Sequence, residues 1–541
     1  MFTIKPGHRI RLAAVLLVAG LSFLFTGANA GGSRTTHRLI VSFVNPADAG
    51  TQAGPNAALL GRLNGRAATT LTPLHAMSYN ARVFALPQRV PESVAARLAA
   101  RLAGDPAVAY ALPDRLMKPL FVPNDPQYAQ QWNLFEDAGG VRMPAAWDLE
   151  RGVPAVVIAQ LDTGILAHAD LDPGRWVSGY DFISDRDMAN DGDGRDADPA
   201  DPGDWVAAGE CDPGEPAEDS SWHGTQVAGM IAATTDNGTG IAGVNHGSRM
   251  LMVRVLGKCG GWTSDIVDAL RWAAGLHVDG VPDNAHPARV INLSLGGYGA
   301  CSSLEQKAID EVNARGGVVV AAAGNGSDDV AVQNPANCQG VIAVAATTRS
   351  GARAAYTNTG SGITLSAPGG DAGDGVLVLS NTGSTVAAAD AYLTMVGTSF
   401  STAQVSGIAG LMLSINGDLN PQQVNDLLVQ SARPFPDASC SSLLCGAGIV
   451  DAATAVQVSV TTQGNPDADG DGVNDVNDLC PGTPAGVSVD PDGCSELQLN
   501  AANNGGGGGG GCALGRAGGF DPLLLLFFAL ALIVRRHPGV M

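Results

Sequence analysis

The chain has 541 residues, 71 of them glycine, with 52 Asp plus Glu against 31 Lys plus Arg and a formal charge of −21 at pH 7. That length predicts several domains, one of them large enough to bury a substantial core. The acidic balance offers no basic face to a phosphate backbone and excludes nucleic acid as a partner, while abundant glycine with few aromatics suits a loop-rich α/β protein better than a helical bundle.

Lys5, Arg9 and Arg11 precede an apolar run from Leu12 to Phe25, and "ANA" at 28–30 ends it with small residues. This is the pattern of a secretory signal, residues 1–30, cut after Ala30, and the run is too short for a comfortable membrane span. Residues 31–120 read as a small α/β unit. Strands are predicted at 37–43, 81–87 and 107–114, and a helix at 91–104, where "PESVAARLAARLAG" has the apolar period. A unit so placed is either an accessory domain or a pro-segment, and its pattern alone does not decide between them.

Residues 121–456 alternate short apolar runs with helical stretches. Strands are predicted at 155–162, 249–256, 289–295, 317–325 and 340–347, and helices at 263–275 and 304–316. Continuous apolar strands separated by helices predict a doubly wound, mostly parallel sheet, buried on both faces. Sites in such folds form at the carboxyl ends of strands, so the polar residues closing the runs matter most: Asp162, Ser294 and Asn325.

Export places the nine cysteines in an oxidising compartment. Proximity pairs Cys440 with Cys445 and Cys480 with Cys494, leaves Cys301–Cys338 and Cys211–Cys259 as open further pairs, and leaves Cys512 alone. No CxxC or paired Cys/His spacing argues for zinc.

Three segments carry candidate chemistry. "QLDTGI" (160–165) ends a strand at Asp162, "SSWHGTQVAGMIAA" (220–233) sets His223 before a small-residue helix, and "GTSFSTAQVSGIAGLML" (397–413) sets Ser399 at the start of another. Singly, each is an ordinary turn or cap. Together they are the acid, base and nucleophile of acyl transfer, with His223 taking the Ser399 proton and Asp162 holding the imidazole. Asn325, closing "VVVAAAGN", and the Ser399 N–H supply an oxyanion site.

These four segments resemble, in order and spacing, the motifs of the subtilisin-like serine proteases, over residues 123–456. Asp162-Thr163-Gly164 matches Asp-[Ser/Thr]-Gly, "HGTQVAG" carries His223, Asn325 follows Ala-Ala-Gly, and Ser399 lies in the Gly-Thr-Ser motif. The resemblance implies a secreted endopeptidase acting on proteins or peptides. It also implies a substrate strand at Ser294, Leu295 and Gly296, pocket walls at Ala322, Ala323 and Gly324, and an opposite rim at Gly260, Gly261 and Trp262. Departures fall at Gln226, Phe400, Ser401, Ala403 and Gln404. The front unit then resembles a pro-domain that assists folding and inhibits the enzyme, cut between Asp114 and Asn124.

"DADGDGVNDVND" spaces Asp467, Asp469, Asp471, Asp475 and Asp478 as in an EF-hand-like calcium loop, and residues 465–494 resemble a thrombospondin type 3 repeat. The acidic run at 187–204 has no clean ligand spacing and reads equally as a calcium loop or a solvated insertion. Residues 501–541 join a glycine-rich linker to an apolar stretch, Leu523 to Val534, and a basic end. They resemble a C-terminal sorting signal, which implies a sorting protease as partner and a transient membrane anchor with the catalytic domain outside. Two rival readings remain: an inactive protease fold serving as a surface binding protein, and a processing protease of narrow specificity.

Overall fold

A computed structural model of the chain describes residues 35–50, 55–116 and 121–461, with isolated positions between 480 and 495. The signal segment, the Asp467–Asp478 loop, Cys512 and the C-terminal tail lie outside the described residues.

The front unit contains β1 (Thr35–Phe43), α1 (Ala57–Ala67), β2 (Thr72–Met77), β3 (Ala81–Pro91), α2 (Glu92–Ala103) and β4 (Val108–Pro113). Its strands form an antiparallel sheet in the order β2-β3-β1-β4. Apolar residues on one face of the sheet and on both helices, among them Leu39, Val41, Phe84, Leu63 and Leu98, close a separate small core. The sequence reading foresaw β1, β3, α2 and β4. It missed α1, whose glycines weaken the helical signal and whose start is fixed by Asn56 accepting from the Leu59 N–H at 2.9 Å.

The main unit begins with two short helices, α3 (Trp132–Phe135) and α4 (Met143–Trp147). There follow β5 (Val157–Asp162), β6 (Trp176–Asp181), α5 (Arg186–Ala189), α6 (His223–Ala232), β7 (Arg249–Arg254), α7 (Thr263–Ala273) and β8 (Val290–Leu293). Next come β9 (Gly297–Tyr298), α8 (Ser303–Ala314), β10 (Val318–Ala322), β11 (Gln333–Asn334), β12 (Val341–Thr347) and β13 (Leu365–Pro368). The unit closes with β14 (Val376–Asn381), β15 (Asp390–Met395), α9 (Thr398–Ile415), α10 (Pro421–Ser431) and α11 (Ala452–Thr461).

Seven strands make one sheet in the order β13-β12-β10-β8-β5-β7-β6, and every pairing in it is parallel. Alternate side chains of each strand feed opposite faces. Ile158, Met250, Val290 and Val320 pack against α6, α9 and α11, while Ala159, Leu251, Ile291 and Val319 pack against α7 and α8. Each buried Val, Ile or Leu contributes about 1.5–3 kcal/mol of transfer free energy, which is why the central strands read as unbroken apolar runs. The register sets Leu161 opposite Leu293 and Leu293 opposite Ala321. Asp162, Ser294 and Ala322 therefore leave the sheet at one level, along its carboxyl edge.

The structure adds β2, β6, β9, β11, β13 and the β14–β15 hairpin to the strands foreseen. All four disulfides form among the described residues: Cys211–Cys259, Cys301–Cys338, Cys440–Cys445 and Cys480–Cys494. No helix among the described residues is long and apolar enough to cross a membrane.

Candidate active site

Asp162 is the last residue of β5 and fully buried. Its Oδ1 accepts from the Thr163 N–H at 2.8 Å and lies 2.7 Å from His223 Nδ1, and its Oδ2 accepts from Gln160 Nε2 at 3.3 Å. A carboxylate at that distance fixes the ring orientation and favours the proton on Nδ1, leaving Nε2 basic. Burial lowers the His223 pKa, but the Asp162 carboxylate and, behind it, Asp204 and Asp201 outweigh this, so the net direction is upward from the ordinary value.

His223 opens α6 because two glycines let that helix approach β5. A Cβ on Gly224 would stand 2.0 Å from the Gly164 carbonyl oxygen, and Gly164 itself has φ +115°. The preceding residue, Trp222, is held at φ +55°, an uncommon conformation for a bulky side chain. Its indole is buried and donates to the Gly383 carbonyl at 2.7 Å, so the surrounding packing holds a backbone strain next to His223.

Ser399 is the second residue of α9, an 18-residue helix buried along most of its length. Its hydroxyl donates to the Ser294 carbonyl at 3.2 Å and not to the His223 imidazole. Catalytic hydrogen bonds are often made only once substrate is bound. Phe400 sets the neighbouring wall, its ring centroid 6.3 Å from that of His223. The Ser294 hydroxyl donates back to the Ser399 carbonyl at 2.9 Å and is itself held by Asn292 Nδ2 at 2.9 Å. The strand end and the helix start are thus locked together.

Asn325 is exposed just beyond β10. Its Oδ1 accepts from the Thr398 N–H at 3.0 Å and the Thr398 hydroxyl at 2.9 Å. Both anchors use the oxygen, which leaves the Nδ2 donors facing the start of α9, where the helix dipole also favours negative charge.

Gly260, Gly261, Leu295 and Gly296 line one cavity of about 400 Å³, shared with Leu256, Glu305 and Asn334. Trp262 stands exposed at the start of α7. Ala322 and Ala323 are buried, Ala323 within the core shared with α7 and α8, and Gly324, at φ +100°, turns the chain outward. The motif departures have structural partners. Gln404 donates to the Pro368 carbonyl at 2.7 Å and accepts from Asn133 at 3.1 Å, and Gln226 donates to the Ser221 carbonyl at 2.7 Å.

Sequence reasoning missed a second group of carboxylates. Asp125 and Asp170 are both buried, Asp125 accepting from the Asp236 N–H at 2.9 Å and Asp170 from the Ile241 N–H at 2.8 Å and Asn237 Nδ2 at 3.0 Å. Burial pushes the Asp170 carboxyl up to about 6, with the Asp125 charge adding to the shift. These residues come from three separate segments, so no local spacing could have revealed them. Among the described residues no group of three or more His, Cys, Asp or Glu gathers as a metal site.

The acidic run at 187–204 is engaged by the protein itself. Arg254, buried at the end of β7, binds Asp181 and Asp191, and Asp201 accepts from the Thr163 hydroxyl at 2.7 Å.

Residues 154–470 match the sequence profile of the subtilase family, Peptidase_S8. The chain is 47% identical over 361 residues to an extracellular protease of Xanthomonas campestris pv. campestris, across 66% of this chain and 61% of that protein. It is 42% identical over 391 residues to an extracellular basic protease of Dichelobacter nodosus, across 71% of this chain and 64% of that one. The matched region thus spans less than two thirds of either relative's own length. Among solved structures, proteases from Pseudoalteromonas arctica align at 49% identity with a TM-score of 0.61, covering 63% of this chain and 100% of that one.

Proposed function

The chain belongs to the subtilase family, and on that premise we propose that it is a secreted serine endopeptidase that hydrolyses peptide bonds through an acyl-enzyme on Ser399. The observation that carries the reading is the pairing of buried Asp162 with half-buried His223, 2.7 Å apart, at the same sheet edge as the Ser399 helix start and the Asn325 amide.

In the proposed reaction the Ser399 hydroxyl turns from the Ser294 carbonyl to His223 Nε2. The imidazole takes its proton as the oxygen attacks the scissile carbonyl carbon. Asp162 keeps the ring oriented and stabilises the imidazolium. The oxyanion forms against the Ser399 N–H and Asn325 Nδ2, donors that need no reorganisation as charge develops. His223 then protonates the leaving amine, and water repeats the sequence to free Ser399.

Substrate is proposed to lie extended between the Gly260–Gly261 rim and the Ser294–Gly296 segment, through main-chain hydrogen bonds. The cavity between them receives a side chain. Main-chain recognition supports broad specificity.

The front unit, residues 31–120, is proposed as an inhibitor-type pro-domain, removed between Asp114 and Asn124. A structural calcium ion, which the family implies, would be held by Asp125 and Asp170, beside the Asn237 amide. Two buried carboxylates with no ion-pair partner among the described residues form the kind of hard oxygen set that such a cation takes. When bound, the ion neutralises them and supports the fold.

The test is the mass, N-terminus and peptide-hydrolysing activity of the secreted product, for wild type and Ser399→Ala. Wild type is expected to start between Asp114 and Asn124 and to cleave a mixed peptide library. The variant is expected to retain the front unit and cleave nothing. Absence of hydrolysis by the wild-type product would sink the reading.

A further inference from the structure

The first N–H groups of a helix have no partner within it and need a cap. At α6 the residue in the capping position is Trp222, whose side chain makes no cap hydrogen bond. The hydroxyls of the preceding Ser221 and of the distant Thr163 do that work. Ser221 Oγ accepts from the His223 N–H at 3.2 Å, and Thr163 Oγ1 accepts from the Gly224 N–H at 2.9 Å. A hydroxyl offers its lone pair to an N–H dependably only if its own proton is tied down, and both protons go to carboxylates of the acidic insertion. Ser221 Oγ donates to Asp204 at 2.6 Å, and Thr163 Oγ1 donates to Asp201 at 2.7 Å.

We propose that Asp201 and Asp204 are positioning residues for the general base: through Thr163 and Ser221 they fix the start of α6, and with it the His223 imidazole. This rests on the serine-protease reading above. Asp201 is the stronger of the two. It is 4% exposed, its other oxygen is held by the Gly203 N–H at 2.9 Å, and its backbone is tied to the Asp162-Thr163-Gly164 turn through an Asp201 N–H bond to the Ile165 carbonyl at 3.2 Å. Thr163 is thereby held on three sides, since Arg254 Nε also donates to its carbonyl at 3.1 Å. The segment that continues from this insertion toward His223 is fastened to the substrate rim. Cys211 bonds to Cys259, next to Gly260, and Lys258 joins Glu210 at 2.7 Å while lying over the Trp205 ring. The insertion and its continuation thus brace both the base and the peptide-binding edge.

The charges facing His223 are Asp162 from β5 and Asp201 and Asp204 from the insertion, with Arg254 of β7 opposite Asp201. Removing Asp201 should therefore lower the His223 pKa as well as loosen the ring.

The experiment compares wild type, Asp201→Ala, Asp201→Asn, Thr163→Val and the Asp201→Ala/Thr163→Val double variant. All are normalised to sites that a fluorophosphonate can label and, where self-maturation fails, are processed by added wild-type enzyme. Asp201→Ala is expected to lose about tenfold or more in kcat with KM within about twofold. Its acid limb of kcat/KM should move to lower pH, a displacement that a merely structural role would not produce. Thr163→Val should resemble it, and the double variant should be no worse than the poorer single one. Asp201→Asn, which keeps the shape and one acceptor, should lie between. Multiplying losses in the double variant, or wild-type kcat and pH profile in both Asp201 variants, would overturn the proposal. Failure of wild type itself to take the label would instead overturn the protease reading.

Discussion

Asp162 and Asp170 stand close in sequence, are equally buried, and have opposite needs. Asp162 has its counter-group in the chain: the His223 ring at 2.7 Å, with the Thr163 N–H and the Gln160 amide on its remaining lone pairs. Asp170 has only neutral donors and a second carboxylate, Asp125, for company, and its carboxyl is pushed up to about 6 by burial. A buried charge is costly unless paired. At Asp162 the fold meets that cost with His223, the proposed general base. At Asp170, in the proposed assignment, the partner is a cation supplied from solution, and the return is stability alone.

The sharpest way to break this contrast is to remove the internal partner. Asp162→Asn is expected to lower kcat by on the order of 10⁴, as an amide cannot support the imidazolium or hold its tautomer, and calcium should not rescue it. Steady-state kinetics with and without added calcium decide this. A smaller loss follows at the oxyanion site. Asn325→Leu should cost on the order of 10²–10³ in kcat with KM little changed, the magnitude known for the equivalent donor in subtilisin, a member of this family. The other side of the comparison should give the reverse pattern. Asp170→Ala should leave kcat at 25 °C within about twofold but remove most of the dependence of Tm on calcium, read by thermal unfolding with and without chelator. Equal calcium dependence in wild type and variant would sink the cation assignment at Asp125 and Asp170. The smallest effect concerns pH. The net upward shift of His223 means that the base is charged, and idle, below a pH somewhat above its ordinary value. Activity should therefore rise with pH through that range, and a kcat/KM profile still flat well below pH 6 would contradict it.

The same comparison explains what the sequence could reveal. The places of Asp162, His223, Asn325 and Ser399 were legible because each closes an apolar strand run or opens a small-residue helix, so the local pattern marks the sheet edge where they meet. The central strands β5, β7, β8, β10 and β12 were legible for the same reason. The edge strand β6, "WVSGYD", was not. Of its residues only Tyr180 and Asp181 are buried, and its pairing with β7 shifts register between Val177 and Tyr180. The β15 strand of the hairpin has no buried residue. Asp125, Asp170 and Asn237 were hidden for another reason: they meet only because three distant segments fold together. Thr163 and Asp201 belong to the same class. The threonine sits inside a motif that could be read, yet its partner lies in an acidic insertion whose composition alone reads as solvated surface. The Ser399 hydroxyl adds a detail that no motif carries, since at rest it faces the Ser294 carbonyl.

The most direct test of the central claim is covalent labelling of the secreted protein with a fluorophosphonate, followed by mass spectrometry of the modified peptide. The account predicts a single adduct on Ser399, lost in His223→Ala. No adduct, or one on another serine with Ser399 untouched, would contradict it.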